Sequence, residues 1–150
     1  MKRRGPLRRI RAATSDDLAL ILDSWKRSFR DSRDDGKRND LIAWVPDHIY
    51  WPEMQARMTR LIRDAKAMCA VNDSDDGQVF GWCVFVPPNV AHYVYVKEPF
   101  RRCGLATELL AEAFGGGALS GGGAIYATHW TRHADWLKLP LRYRPSLLEQ

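Results

Sequence analysis

Apolar and polar residues follow two different periods along this chain, and the switches between them mark its elements. Leu7, Ile10 and Ala12 alternate loosely with arginines from Leu7 to Ala13, which predicts a short strand at the side of a sheet. Thr14 and Asp17 then stand three apart as in a capping box. Leu18, Ile21, Leu22, Trp25 and Phe29 follow at helical spacing and give the first helix one buried face. Asp31 to Asp40 is a dense polar loop around Gly36, and Leu41 to Val45 is an apolar patch. Pro46 suits the start of a second helix, whose buried stripe is Ile49, Tyr50, Met54, Met58, Leu61 and Ile62.

Three strands come next: Ala67 to Val71, Val79 to Val86 and Val90 to Val96. The turn formers from Asn72 to Gly77 join the first two, and Pro87-Pro88-Asn89 ends the second, because prolines donate nothing to a ladder. Short connections make these strands an antiparallel meander. Leu105, Leu109, Leu110, Ala113 and Phe114 restore the helical period from Gly104 to Phe114. Residues 115 to 123 hold six glycines and read as a connector, with no Lys-Ser or Lys-Thr ending to make them a phosphate loop. Ala124 to His129 is a strand parallel to the Val90 strand, since strand, helix, strand is the crossover unit. Pro140 and Pro145 limit the remainder to a helical turn and a last strand at Leu141 to Leu148.

The 150 residues suffice for one domain, expected over 8–150 behind a basic, flexible tail at 1–7. A net charge of +5 suggests nucleic acid until it is located. Lys2, Arg3, Arg4, Arg8, Arg9 and Arg11 fall in the first 13 positions, where no acid occurs, and the rest of the chain is near neutral. A broad nucleic-acid face is therefore not implied, and a solvated tail is the plainer reading. Cys69, Cys83 and Cys103 lack the spacing of a disulfide framework and fit free thiols in a reducing compartment. With neither a secretory leader nor a long apolar run, the expectation is a cytoplasmic protein that makes no membrane contact.

The segment Arg101-Arg102-Cys103-Gly104-Leu105-Ala106 lies between the Val90 strand and the third helix. A helix start presents unbonded N–H groups and the positive end of its dipole. Gly104 and Ala106 let a diphosphate approach the backbone, and the two arginines add charge-assisted bonds. Placed after these elements, Arg101, Gly104 and Ala106 match the Gln/Arg-x-x-Gly-x-Gly/Ala pattern, and residues 8–130 resemble the GNAT superfamily of acyl-CoA N-acyltransferases. The resemblance implies an α/β (α+β) acyl-CoA N-acyltransferase fold, a mixed twisted sheet of about six strands flanked by three to four helices. Here its C-terminal part is shortened. It also implies acetyl-CoA or another acyl-CoA as cosubstrate, held by Tyr95, Val96, Arg101, Arg102, Cys103, Gly104, Leu105 and Ala106. Two departures affect the turn: family members usually carry glycine at the place of Arg102 and proline at the place of Glu98.

Acyl transfer to an amine needs a base, a polarised carbonyl and an acid for the leaving thiolate. His92, His129 and Glu98 are candidate bases, with His129 first because it ends the fifth strand. No acid carries over from the family pattern, and Tyr143 and Tyr126 are chosen on chemistry and region alone. Acyl transfer through Cys103 is disfavoured for want of a histidine partner in sequence. His129, His133 and Asp135 do not make a metal site, because their spacing needs a helix where the sequence reads strand and loop. The short C-terminal part leaves the acceptor side open to a macromolecular amine, or to a second copy that completes the sheet as a homodimer. Two other classes remain open: a catalytically idle acyl-CoA-binding module, and a small nucleic-acid-binding protein working through the basic tail.

Overall fold

Period-two runs need neighbours to bond their backbone, and six of them here form one sheet. The computed structural model describes residues 5–30, 45–115, 124–129 and 141–144. The strands are β1 (Arg8–Ala12), β2 (Lys66–Asn72), β3 (Asp75–Val86), β4 (Val90–Val96), β5 (Ile125–Ala127) and β6 (Leu141–Tyr143). They lie side by side in chain order. β1 to β4 are antiparallel, whereas β4, β5 and β6 are parallel to one another. The helices are α1 (Leu18–Arg30), α2 (Asp47–Asp64) and α3 (Leu105–Phe114).

Each helix lays its apolar stripe on the sheet. Ile21, Trp25 and Phe29 of α1 and Tyr50, Met54, Met58 and Leu61 of α2 pack with Trp82, Val84 and Tyr93 on one face. Leu105 and Leu109 of α3 cover Phe80, Cys83 and Phe85 on the other. Trp25, Tyr50 and Trp82 are wholly buried, each contributing on the order of 1.5–3 kcal/mol through the apolar surface removed from water. Burial also pushes the thiols of Cys69 and Cys83 up to about 12, so they stay protonated.

Several boundaries differ from the sequence expectation. The polar stretch Asn72 to Gly77 is largely ladder: Asn72 pairs with Asp75, leaving a connection of Asp73 and Ser74. Exposed polar strand residues are stable there because Asn72 bonds Gln78 across the hairpin, while Arg9 and Arg11 both engage Asp76. Thr14 and Asp17 do interact, the Asp17 carboxylate accepting the Thr14 N–H at 2.7 Å, but they open a 3-10 turn at Ser15–Asp17 before α1. β5 ends at Ala127, two residues early, because β4 leaves it beyond Ala91. Of the expected last strand, Leu141–Tyr143 pairs with β5, while residues 145–148 lie outside the described residues. The predicted loop at 31–40, the patch at 41–44 and the glycine connector from 116 onwards lie outside them too.

The first strand's arginines are not a solvated tail. Arg8 pairs with Glu108, Arg9 with Asp76 and Arg11 with Asp17, so the described part of the basic segment is neutralised within the fold.

Candidate active site

The site begins at the turn between β4 and α3. A 3-10 turn at Glu98–Phe100 leads into Arg101, whose Nε donates to the Val96 carbonyl at 2.8 Å and folds the side chain back along β4. Arg102 has φ +64° and Gly104, at the helix N-cap, φ +83°, two left-handed residues that bend the chain abruptly into α3. No side chain caps α3, and its first internal bond runs from the Glu108 N–H to the Gly104 carbonyl. The N–H groups of Leu105, Ala106 and Thr107 therefore have no partner within the helix. A Cβ built at Gly104 would meet nothing within 4 Å, so the approach to these amides is open.

Glu108 in the first turn of α3 would repel an anion, but Arg8 from β1 grips its carboxylate. The same guanidinium donates to the Cys103 carbonyl at 2.9 Å and so supports the turn from behind. The Cys103 thiol donates to the Phe100 carbonyl at 2.7 Å, which turns it into the base of the turn and away from acyl chemistry.

From this turn the β4 edge runs back toward a short pairing with β5. Their pairing covers only Val90 with Tyr126 and Ala91 with Ala127, and the Thr128 N–H to the Ala91 carbonyl is the last bond. The ladder between β3 and β4 shifts register at this point: Val84 faces Tyr93 and Phe85 faces Ala91, leaving His92 as the extra residue of a bulge. Beyond His92 no strand among the described residues pairs with the β4 edge from Tyr93 to Val96, a fork about 13 Å deep at 3.3 Å per residue.

Two histidines occupy the vertex of the fork. His92 Nδ1 and the Thr128 hydroxyl are 2.8 Å apart, and the same hydroxyl is 3.0 Å from His129 Nδ1. The His129 ring is enclosed by Trp25, Phe29 and Tyr93, with ring centroids at 5.3, 5.0 and 6.2 Å. Burial, with smaller contributions from the charges of His92 and Arg57 and a small offset from a backbone interaction with His92, pushes the His129 imidazole down to about 3, and burial lowers His92 as well. Both rings are neutral at physiological pH. His129 Nε2 and Trp25 Nε1 are buried without a hydrogen-bond partner among the described residues.

A family model described as the acetyltransferase (GNAT) family matches residues 19–133. The chain belongs to that family. A GCN5-related N-acetyltransferase from Ralstonia eutropha shares the fold, with TM-score 0.54, 18% identity, and coverage of 87% of this chain and 88% of that one. A ribosomal-protein-alanine N-acetyltransferase from Brucella melitensis is similar at TM-score 0.46 and 19% identity, covering 83% of this chain and 80% of its own. An N-acetyltransferase from Thermoplasma acidophilum, solved with coenzyme A, stands at 0.43 and 18%, with coverage of 71% and 69%. No curated protein matches the chain.

As a GNAT protein the chain has acyl-CoA-dependent acetyl transfer as its general reaction class. The residues that resemblance implied for the donor sit along one path. Tyr95 and Val96 lie on the β4 edge beyond its pairing with β5, and Arg101, Arg102, Cys103, Gly104, Leu105 and Ala106 form the turn. The left-handed Arg102 explains why glycine usually stands there in GNAT members, and shows that the arginine leaves the bend intact.

The candidate catalytic residues are scattered by comparison. His129 is at the vertex, but Glu98 is exposed at the far end of β4, beside the turn into α3. Tyr126 sits half-buried under the Arg144 guanidinium, 5.2 Å from the ring centroid, and Tyr143 is 44% exposed on β6. His133 and Asp135, weighed as metal ligands with His129, lie outside the described residues, among which no group of three suitable side chains gathers. Sequence reasoning missed Thr128, Arg8 and the aromatic enclosure. A threonine beside a histidine gives no signal until parallel pairing with β4 sets it against His92.

Proposed function

We propose that this GNAT protein transfers an acetyl or other short acyl group from acyl-CoA to an amine by direct attack on the thioester. The observation that carries the reading is the two-ended fork: an uncapped helix start at one end, a buried polar vertex at the other, and between them a strand edge that no described strand pairs. These residues fit the donor. The free amides of α3, with Arg101 and Arg102, suit its diphosphate, and the edge at Tyr95 and Val96 suits an extended polar arm. Acyl-CoA supplies an acyl carbon activated by a thiol leaving group. The chain's own part is to fix that carbon at the vertex, keep water out with Trp25, Phe29 and Tyr93, and, once this enclosure shifts to admit the amine, receive its proton at His129 Nε2.

The burial of His129 favours a second reading, an acyl-CoA-binding module without turnover, because an imidazole that burial pushes down to about 3 is a weak base. Titrating acetyl-CoA into the protein, followed by thiol release with spermidine and with an alanine-initiated tetrapeptide as acceptor probes, separates the two. Binding that is lost in Gly104→Glu and weakened in Arg101→Ala, together with thiol release, supports the transferase. Binding without release supports the module, and no binding by the intact protein sinks both.

A further inference from the structure

Thr128 is 1% exposed, and its hydroxyl lies between two imidazole Nδ1 atoms, at 2.8 Å from His92 and 3.0 Å from His129. A hydroxyl has one hydrogen to donate. With these two nitrogens as its partners, it donates to one ring and accepts an N–H from the other, which holds the rings in opposite tautomers. His129 Nε2, without a hydrogen-bond partner among the described residues, decides the direction. A buried N–H without an acceptor is rarer than a buried lone pair without a donor, so Nε2 is the lone pair. His129 then carries its hydrogen on Nδ1 and gives it to Thr128, and Thr128 gives its own to His92 Nδ1.

We propose that Thr128 locks the two histidines in opposite tautomers and joins them into a proton path, so that a proton taken at His129 Nε2 comes to rest on His92. The inference rests on the transferase reading. As the amine nitrogen bonds to the acyl carbon and the carbon–sulfur bond breaks, the amine proton goes to His129 Nε2. His129 Nδ1 passes its hydrogen to the Thr128 oxygen, and the Thr128 hydrogen moves to His92 Nδ1. One proton enters, His92 becomes the imidazolium, His129 changes tautomer, and Thr128 is unchanged. The departing thiolate takes its proton from solvent.

The surroundings favour His92 as the resting place. Arg57 of α2 adds repulsion at His129, while the α1 rings in contact with it among the described residues, Trp25 and Phe29, are uncharged. From β4, the Tyr93 hydroxyl bonds Ser28 and is held protonated by burial, so it neither competes for the proton nor balances its charge. No such repulsion is found at His92, where burial alone lowers the imidazole. The path thereby lets the poorly basic ring at the vertex draw on the better base behind it.

Proton–nitrogen correlation NMR on protein labelled in its histidine rings tests the lock without an acceptor. His92 and His129 are expected in opposite tautomers at neutral pH, in the intact protein and in Thr128→Ser, and to lose that pattern in Thr128→Val. Identical tautomers in the intact protein, or a pattern that Thr128→Val leaves in place, overturns the proposal. Turnover of acetyl-CoA with the same two amine probes tests the path. Thr128→Val is expected to keep acetyl-CoA affinity while kcat falls about 100-fold and the acid limb of kcat/KM moves, with Thr128→Ser restoring both. Unchanged kcat and pH profile in Thr128→Val would refute the path even where the lock is seen. An intact protein that binds acetyl-CoA but releases no thiol refutes the transferase reading and the path with it, while the NMR result still decides the lock.

Discussion

Arg8 and Glu108, a hundred residues apart in the chain, are joined by two hydrogen bonds, Nε to Oε2 at 2.9 Å and Nη2 to Oε1 at 2.5 Å. The edge strand thus neutralises the one acid in the first turn of α3 and braces the Cys103 carbonyl. Replacing Arg8 by alanine frees a negative charge beside the first amides of α3, the proposed diphosphate site. Such a charge acts on the order of 0.3–1 kcal/mol, so acetyl-CoA should bind roughly two- to fivefold more weakly in calorimetry. The double variant Arg8→Ala/Glu108→Gln should recover most of that loss. If it does not, Arg8 acts through the shape of the turn.

Arg102 holds a left-handed backbone at φ +64°, which costs a side-chain-bearing residue about 1–2 kcal/mol. Arg102→Gly should therefore raise unfolding stability by roughly 0.5–1 kcal/mol, after the greater freedom of glycine in the unfolded chain is deducted. Arg102→Ala keeps the strain and should leave stability unchanged. Both variants remove the charge and should weaken acetyl-CoA binding alike, which urea denaturation and titration would show.

The buried histidines set the acid response. Unfolded, His129 takes a proton near pH 6.5, and folded it stays neutral down to about 3. Between those values the unfolded state binds more protons, so stability falls as pH falls, by about 1.4 kcal/mol per pH unit for this group. His92, also lowered, acts in the same direction. Asp17 is held below its usual 3.8, first by Arg11, so its contribution is intact above that pH and disappears only in stronger acid. Denaturation between pH 6.5 and 4 thus reports the histidines, and His129→Gln should flatten most of the slope.

Gly81 of β3 faces the end of β4 so closely that a Cβ would stand 2.6 Å from the Tyr95 carbonyl oxygen and 3.2 Å from the Val96 Cα. Both obstacles are backbone and cannot swing aside. Gly81→Ala should destabilise by about 1–3 kcal/mol and displace the strand edge that faces the fork. A drop in acetyl-CoA affinity larger than that of an equally destabilising change in α2, such as Met58→Ala, is the expected result.

Local patterns made much of the fold legible. The stripes of Ile21, Trp25 and Phe29 and of Leu105 and Leu109 announce helices that bury one side, and Arg101, Gly104 and Ala106 mark the turn because its chemistry is contained in six residues. The vertex was legible only in fragments. His92 and Tyr93 read as ordinary strand alternation, and only the paired neighbours Val84 and Phe85 reveal the bulge. His129 drew notice by its chemistry, but the hydroxyl joining it to His92 arises from a pairing across 36 residues that no local signal encodes. Arg8 was hidden in a run of basic residues for the same reason.

The sheet's sequential order also bears on how the molecule assembles. β2, β3 and β4 follow one another with connections of a few residues, so their contacts close the shortest chain loops in the sheet. β1 waits for a partner more than 50 positions away, and β5 for a crossover through α3. Low loop-closure entropy places the folding nucleus in this meander, where conservative substitutions such as Val84→Ala should give high φ-values and those at Ile10 and Ile125 low ones. The vertex, which needs β5 in register, is then among the last parts of the protein to exist during folding, after the hydrophobic support beneath it is in place.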